Sequence, residues 1–287
     1  MNRKAASALL LFAVIIAFDI FPAPSSANDQ IFSVEAQSAI LMNMNTGKVL
    51  YAQNPDDHIQ PASLTKVLSL YLVHEAIRDG KTSMAAHVKV SRRAMKCEGS
   101  RMYLKRGQRV HLDDLVKGMA IVSGNDASIA AAEHIGGNVP QFVKKMNVKA
   151  AKLGMQDSHF MNPNGLPAKG QYTTARDIMI LSHAYLRDFS ESLEVHSMPD
   201  YKFGRRVMHN HNRLIRKDES VDGLKTGFVR AAGFHIVATA KRDNVRLIAV
   251  VMGARSISVR DRETIRLLEE GFKMTQREPL EKKTRPA

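Results

Sequence analysis

The chain contains the stretch Ser63-Leu64-Thr65-Lys66, which opens a mainly apolar segment that continues to Ile77. The spacing of the apolar residues predicts a largely buried helix, and Pro61 just before the segment is typical of a helix start. Residues three positions apart lie on one face of a helix, one turn from each other. The stretch therefore predicts a hydroxyl and an amine side by side. The alternative is a solvent-facing serine and lysine on an ordinary helix.

A serine hydroxyl needs a base to remove its proton when it acts as a nucleophile. The sequence has eleven histidines, but no Gly-x-Ser-x-Gly elbow and no recognisable serine triad. Lys66 is therefore the candidate base for Ser63. Its amine would need a pKa near neutrality instead of about 10.4, a difference of about 4 kcal/mol. Burial, a helix N-terminus and a second cation all act in that direction, and Lys225 is the candidate second cation.

The tripeptide Ser123-Gly124-Asn125 lies between two helical patterns, at residues 112–122 and 127–135. A turn at this point would project a hydroxyl and an amide into a cleft. The Ser123 hydroxyl could relay a proton, and the Asn125 amide could hold a substrate carbonyl or orient the lysine. The alternative is a simple helix–helix turn in which Asn125 or Asp126 caps the second helix.

The tripeptide Lys225-Thr226-Gly227 follows Val221-Asp222-Gly223-Leu224, a run that predicts a strand. The edge of a strand can pair with an extended peptide. Lys225 and Thr226 could bind a terminal carboxylate, and Gly227 would let a substrate backbone approach closely. An oxyanion hole needs two N–H donors, for which the backbone N–H groups of Ser63 and Phe228 are the candidates. Taken alone, the tripeptide also fits a strand that ends in a turn glycine.

The remaining patterns predict how the chain is organised. Strands at residues 39–44 and 48–53 form a hairpin, and residues 112–186 are mostly helical. Strands at 234–240 and 245–252 precede a last helix at 260–272. The pattern predicts an antiparallel sheet built from both chain ends, with an inserted helical lobe.

The stretch from Ser63 to Lys66 and the two tripeptides are called the three strings below. In this order they form the set found in active-site serine enzymes that bind penicillin. Over residues 39–272 the chain resembles the D-alanyl-D-alanine carboxypeptidases, the low-molecular-weight penicillin-binding proteins. The resemblance rests on the three strings with their flanks and on the segments Gly99-Ser100-Arg101-Met102, Gly233-Phe234 and Val251-Met252-Gly253-Ala254-Arg255.

The resemblance implies an α/β (α+β) fold of the β-lactamase/transpeptidase type. It implies a serine-type carboxypeptidase that removes the terminal D-alanine from peptidoglycan stem peptides. β-Lactam antibiotics would be covalent inhibitors, and no cofactor is expected.

The resemblance also implies a role for each polar residue of the strings. Ser63 would be the acylated nucleophile, Lys66 its general base and Ser123 a proton shuttle. Asn125 would position the substrate, and Lys225 with Thr226 would receive the substrate carboxylate.

Two positions depart from the family pattern. The family often has an arginine upstream of Lys-Thr-Gly, where this chain has His209-Asn210-His211-Asn212-Arg213. The sequence leaves open whether His211 or Arg213 takes that role. Phe228 follows Gly227, and we expect it to contribute mainly its backbone N–H.

Three alternative functions remain open at this point. A D,D-endopeptidase that cuts peptidoglycan cross-links would use the same chemistry. A class A β-lactamase needs a glutamate for deacylation, but the usual Glu-x-x-Leu-Asn segment is absent. Residues 162–167, in that region, look carboxypeptidase-like instead. A non-catalytic wall-binding module would need no serine–lysine pair.

Residues 1–27 predict a secretory signal peptide, with basic Arg3 and Lys4, an apolar stretch and a small-residue cleavage pattern at Ser25-Ser26-Ala27. Residues 28–275 would form the catalytic domain, and residues 276–287 a basic, disordered tail. We therefore expect an exported, periplasmic or extracytoplasmic enzyme that is soluble after signal cleavage.

The formal net charge of +14 favours anionic surroundings. For an exported enzyme, the expected electrostatic partners are wall carboxylates or the membrane surface, and not nucleic acid. A basic solvated surface without a specific partner is the alternative.

His74-Glu75 lacks the second histidine of a His-Glu-x-x-His site, so no metal is expected. Cys97 is the single cysteine, and we expect a small structural residue.

Overall fold

The computed structural model describes residues 32–277. In chain order, its strands and helices are β1 (Ser38–Asn43), β2 (Val49–Gln53), α1 (Thr65–Arg78), β3 (His87–Lys89), α2 (Arg92–Met95), β4 (Arg109–His111), α3 (Leu112–Ala120), α4 (Asn125–Gly136), α5 (Val139–Leu153), α6 (Ala175–Asp188), α7 (Leu193–His196), β5 (Asp200–Phe203), β6 (Arg206–His209), β7 (Val221–Val229), β8 (Gly233–Arg242), β9 (Val245–Ala254) and α8 (Ile257–Arg277). Short 3₁₀ turns lie at residues 62–64, 190–192 and 213–216.

The main sheet has five strands in the order β2-β1-β9-β8-β7, and every neighbouring pair is antiparallel. β1 therefore lies between its hairpin partner β2 and β9, from the other end of the described chain. The residues of β9 from Leu247 to Met252 are all fully buried. Since successive strand residues point to opposite faces, both faces of β9 are covered. Helices α6 and α8 both contact β1, β8 and β9 and provide that cover.

The helical lobe is built around α1, which contacts α3, α4, α5 and α6. A helix that is enclosed in this way has few solvent-facing positions. All residues from Thr65 to His74 are buried, including the charged Lys66. The lysine of the Ser-x-x-Lys string thus lies in the protein interior.

The predicted fold is confirmed: strands from both chain ends form one antiparallel sheet, and the helical lobe is inserted between them in the chain. The predicted helix from Ser63 begins two residues later, at Thr65, because residues 62–64 form a 3₁₀ turn. The last helix is longer than expected and runs to Arg277, into the segment predicted as a tail. The β5–β6 hairpin was not predicted.

The predicted signal peptide, residues 1–27, and residues 278–287 of the predicted tail lie outside the described residues. Within residues 32–277, no helix combines the length and the apolar character that a membrane span requires.

Candidate active site

Ser63 lies in the 3₁₀ turn just before α1, and Lys66 lies in the first turn of α1. The Nζ atom of Lys66 is 2.9 Å from Ser63 Oγ, 2.7 Å from Asn125 Oδ1 and 2.7 Å from the main-chain oxygen of Asn164. An unprotonated amine has two N–H groups and one lone pair. The fixed oxygens of Asn125 and Asn164 can accept both N–H groups, which leaves the lone pair for the hydroxyl proton of Ser63.

Two causes lower the pKa of Lys66 well below its usual range: first its complete burial, then the positive charge of Lys225. Lys225 is also buried, and its burial together with the charge of Arg260 lowers its pKa to about 7. The Lys225 Nζ donates a hydrogen bond of 2.9 Å to the main-chain oxygen of Thr226. The surroundings of Lys66 therefore favour a neutral amine next to Ser63.

The turn that carries Ser63 packs against two glycines. Ala62 has a left-handed φ of 47°, a conformation that a residue with a Cβ atom rarely adopts. A Cβ atom on Gly165 would lie 1.7 Å from the Ala62 main-chain oxygen, and one on Gly227 would lie 3.2 Å from the Ser63 nitrogen. Gly227 thus lets β7 approach the Ser63 turn, whereas the sequence predicted that it admits the substrate backbone.

The loop at residues 162–167 supplies the Asn164 oxygen that contacts the lysine. Ser69 on α1 and Ser128 on α4 each donate a hydrogen bond of 2.7 Å to the Pro163 main-chain oxygen. The loop is therefore anchored to two helices of the lobe. The position of the Asn164 oxygen depends on these helices, which explains why the loop sequence alone did not indicate it.

His235 on β8 links the sheet to the segment that precedes Ser63. Its Nδ1 accepts a hydrogen bond of 2.9 Å from the Gly253 N–H, and its Nε2 lies 3.1 Å from the Gln60 main-chain oxygen. Because Nδ1 is an acceptor, the ring proton is on Nε2 and is donated to Gln60. Burial is the main cause that lowers the pKa of His235 to about 4, so this neutral form persists at neutral pH.

Ser123 lies at a strained turn between α3 and α4, with a φ of 59°. Its hydroxyl is buried and has no hydrogen-bond partner among residues 32–277, so it is available to a bound molecule. Asn125 starts α4, where its main-chain N–H donates to the Ser100 oxygen and its Nδ2 donates to the Glu98 oxygen, both at 2.7 Å. The cap of α4 is Gly124, without a side-chain bond. The helix-cap alternative for Asn125 is therefore wrong.

The Lys-Thr-Gly string lies in β7, which pairs with β8 and forms one edge of the main sheet as described. The free edge can pair with an extended peptide. Phe228 is 54% exposed, and its ring stacks on Phe234 with 4.4 Å between the ring centroids.

A cleft of about 940 Å³ adjoins the site, and the buried Lys66 and Lys225 do not line it. Its lining includes the predicted residues Ser63, Ser123, Asn125, Thr226, Gly227 and Phe228. Four arginines also line it (Arg101, Arg206, Arg213 and Arg260), but no aspartate or glutamate of the described chain does. A concave surface with this charge attracts anions.

His211 and Arg213 both line the cleft, so both candidates for the family arginine are near the site. The His211 ring is exposed to the cleft. Partial burial by the surrounding protein, followed by the charges of Lys225 and Lys66, lowers its pKa to about 4. His211 is therefore neutral at neutral pH, whereas an arginine stays charged.

Sequence reasoning missed Arg260 and the surroundings of Cys97. Arg260 is buried at the cleft and pairs with Asp261 at 2.6 Å. The Cys97 thiol accepts a hydrogen bond of 3.3 Å from the side chain of Asn164, and burial raises its pKa. Neither residue belongs to a short motif, so no local signal marked them.

Among residues 32–277, no group of three His, Cys, Asp or Glu side chains is arranged to hold a metal ion.

Residues 24–256 match the D-alanyl-D-alanine carboxypeptidase family. The chain belongs to this family. Its membership makes it a hydrolase of the serine-peptidase type, as the resemblance predicted.

Curated relatives extend the match to most of the chain. The D-alanyl-D-alanine carboxypeptidase DacF of Bacillus subtilis is 36% identical over 290 residues, which cover 98% of this chain and 74% of the relative. The D-alanyl-D-alanine carboxypeptidase DacC of Escherichia coli is 39% identical over 248 residues, covering 84% of this chain and 62% of the relative.

Solved structures show the same fold. Penicillin binding protein 5 from Haemophilus influenzae superposes with a TM-score of 0.82 at 39% identity, over 84% of this chain and 72% of that protein. Penicillin-Binding Protein D2 from Listeria monocytogenes, in its ampicillin-bound form, superposes with a TM-score of 0.77 at 30% identity. That match covers 84% of this chain and 98% of the Listeria protein.

Proposed function

We propose that this family member removes the terminal D-alanine from peptidoglycan stem peptides through an acyl-enzyme on Ser63. One observation carries the proposal. The buried Nζ of Lys66 is 2.9 Å from Ser63 Oγ, while two fixed oxygens take up its N–H groups. An amine held in this way is suited to accept the hydroxyl proton.

In the acylation step, Ser63 Oγ attacks the carbonyl carbon between the two D-alanines and its proton passes to Lys66 Nζ. The backbone N–H groups of Ser63 and Phe228 stabilise the oxyanion. The tetrahedral intermediate collapses when the bond to the leaving nitrogen breaks. That nitrogen receives a proton through the Ser123 hydroxyl. D-alanine then leaves, and the acyl part of the peptide remains bound to Ser63 as an ester. Asn125 holds a carbonyl of the acyl part.

In the deacylation step, water attacks the ester carbonyl and gives up a proton to the same base. The Ser63 oxygen then leaves as the alcohol, which releases the shortened peptide and restores the free enzyme. The absence of carboxylates from the cleft lining among the described residues supports slow deacylation of a β-lactam adduct. It therefore favours inhibition by β-lactams over β-lactamase activity.

The leaving D-alanine carries the terminal carboxylate of the substrate. Thr226 on β7 lines the cleft and would bind this carboxylate. Lys225 is buried next to Thr226 and would act through its positive charge, as would the buried Arg260, which pairs with Asp261. A cationic cleft raises the local concentration of an anionic substrate. The same charge also supports electrostatic association with wall carboxylates or an anionic membrane surface after export to an extracytoplasmic compartment.

Incubation of the full chain with a penicillin, followed by intact mass and peptide mapping, tests the proposal. We expect a stable adduct on Ser63 in the unchanged protein and no adduct in Ser63→Ala. Lys66→Ala should acylate far more slowly while it still binds the penicillin. Rapid turnover without an adduct would favour a β-lactamase, and neither adduct nor turnover would favour a wall-binding module.

A further inference from the structure

Half of the formal net charge of the chain lies in one short segment, from His87 to His111. The segment holds eight lysines and arginines but a single acidic residue, Glu98, which leaves a charge of +7 against +14 for the whole chain. It consists of β3, α2, β4 and the loop between α2 and β4. A surface with so concentrated a charge attracts anions strongly.

Seven of these cations are exposed outside the catalytic cleft, and together we call them the basic face. Those on the β3–β4 ribbon and at α2 are Lys89, Arg92, Arg93, Lys96 and Arg109. Lys105 and Arg106, in the loop before β4, complete the basic face. The eighth cation, Arg101, lines the catalytic cleft, whereas the seven do not.

The fold brings the basic face to one side of the segment. β3 and α2 both contact α4, and the buried Val88, Ala94 and Val110 belong to the hydrophobic core. Because successive strand residues point to opposite faces, the cations next to these two valines point to solvent. The Gly107 N–H donates a hydrogen bond of 2.9 Å to the Val90 oxygen, which holds the loop with its two cations beside the ribbon.

The basic face lacks acidic partners. Within residues 32–277, none of its seven side chains forms a salt bridge or a hydrogen bond. The carboxylates nearby have other partners: Glu133 on α4 accepts a hydrogen bond of 3.1 Å from Ser91, and Asp113, just beyond the segment, pairs with Lys117. The charge of the basic face is therefore available to a ligand.

One pair of these cations lies together despite its own repulsion. Lys89 and Arg109 are directly opposite each other in the β3–β4 ribbon, and both are exposed. Like charges in this arrangement destabilise a pair of strands. Val88 and Val110, on the other face, already attach the ribbon to the core. A cationic pair that costs stability and adds nothing to the packing indicates a ligand that neutralises it.

The surroundings of the basic face favour a polymer over a membrane surface. Sites that lie on membranes combine cations with exposed apolar side chains that enter the bilayer. Among the exposed large apolar residues of the described chain, Tyr103 alone falls in this segment, and it lines the cleft. A soluble polyanion needs only the charges.

We propose that the basic face binds a linear cell-wall polymer that carries phosphate groups in its backbone. Four of the seven cations are arginines, whose planar guanidinium groups can bind phosphate through two N–H groups at once. Gly99, Ser100 and Arg101 of the same segment line the catalytic cleft. A polymer bound at the basic face therefore keeps the cleft close to the wall, and this binding does not require the chemistry at Ser63.

The test measures the binding of labelled inorganic polyphosphate to the full chain by fluorescence anisotropy at several salt concentrations. Counterion release predicts a slope of log K against log salt concentration of about −5 for seven phosphate contacts, at about 0.7 for each contact. The double variant Lys89→Gln with Arg109→Gln should bind more weakly, with a slope of about −3.5.

The matched control is Lys144→Gln with Lys152→Gln, which removes the same charge from two exposed lysines of α5. These lysines line a separate cavity that also contains Glu75 and Asp79, so this variant should keep the affinity and the slope of the unchanged chain. Equal losses in the two double variants would overturn the proposal, because binding would then follow net charge alone.

Two further probes test the kind of ligand. Tighter binding to anionic lipid vesicles or to duplex DNA than to polyphosphate, at equal phosphate concentration, would assign the basic face to a membrane or to nucleic acid and refute the wall polymer. The ribbon variant should unfold at the same or a higher temperature at low salt, since a repulsion is removed. A lower unfolding temperature would show that the pair serves the fold. Penicillin acylation of Ser63 should be equal in both double variants, which separates this result from the proposed function.

Discussion

Replacing Asn125 by aspartate should disable Lys66 as a base without removing the lysine. The Asn125 Oδ1 atom is 2.7 Å from Lys66 Nζ, and at an effective dielectric constant of about 20 a unit negative charge there would favour the ammonium form by about 6 kcal/mol. Asn125 is 4% exposed, so water screens this charge poorly. Even a quarter of that free energy reduces the fraction of Lys66 in its neutral form about tenfold.

The assay is the rate of penicillin acylation across a range of pH, with Asn125→Ala as the control. Both variants lose the amide, but only the aspartate adds a charge. We expect Asn125→Asp to acylate at least tenfold more slowly than Asn125→Ala at pH 7. Because the added charge raises the pKa of Lys66, the pH midpoint of the aspartate variant should also be higher. If the two variants share one pH midpoint, deprotonation of Lys66 does not control acylation.

Two further predictions concern stability. Gly165→Ala places a Cβ atom 1.7 Å from the Ala62 oxygen and should cost roughly 3 kcal/mol of unfolding free energy or more. Gly170→Ala, also at a left-handed φ but with no neighbour within 4 Å, should cost about 1 kcal/mol; equal losses in urea unfolding would contradict the packing argument. Burial is the main cause that lowers the pKa values of His235 and His196 in the folded chain, to about 4 and about 3. Below pH 6.5 the unfolded chain therefore binds more protons than the folded chain. Unfolding free energy should therefore fall between pH 6.5 and 4, by about 3 kcal/mol for His235, and a flat profile in urea titrations would refute this.

Local patterns predicted the elements that carry the site. The helix of α1, the hairpin of β1 and β2 and the strands β7 to β9 have periodicities that a single segment displays. Their pairing into one sheet follows from short turns and from the resemblance. The β5–β6 hairpin escaped prediction because each of its strands has only four residues, the lower limit of the length over which alternation indicates a strand.

Two kinds of site feature had no local signal. The first is strained backbone: Ala62, Ser123 and Tyr103 all have positive φ values, against the preference of residues with a Cβ atom. Long-range contacts hold such backbone: the residues on both sides of Tyr103 donate main-chain hydrogen bonds to the carboxylate of Asp126. The second is long-range contact, because nothing in residues 162–167 indicates that the Asn164 oxygen meets a lysine 98 positions away.

The sequence by itself determined which chemical groups this protein brings to catalysis and how they are spaced within each string. Ser63 and Lys66 are three positions apart, which places them on one face of a helical turn, so their proximity needed no tertiary information. Only the tertiary structure decided the state of that lysine. Its pKa depends on complete burial and on Lys225, 159 positions later. Desolvation and charge interactions depend on distance in space, which the order of residues does not specify until the chain has folded.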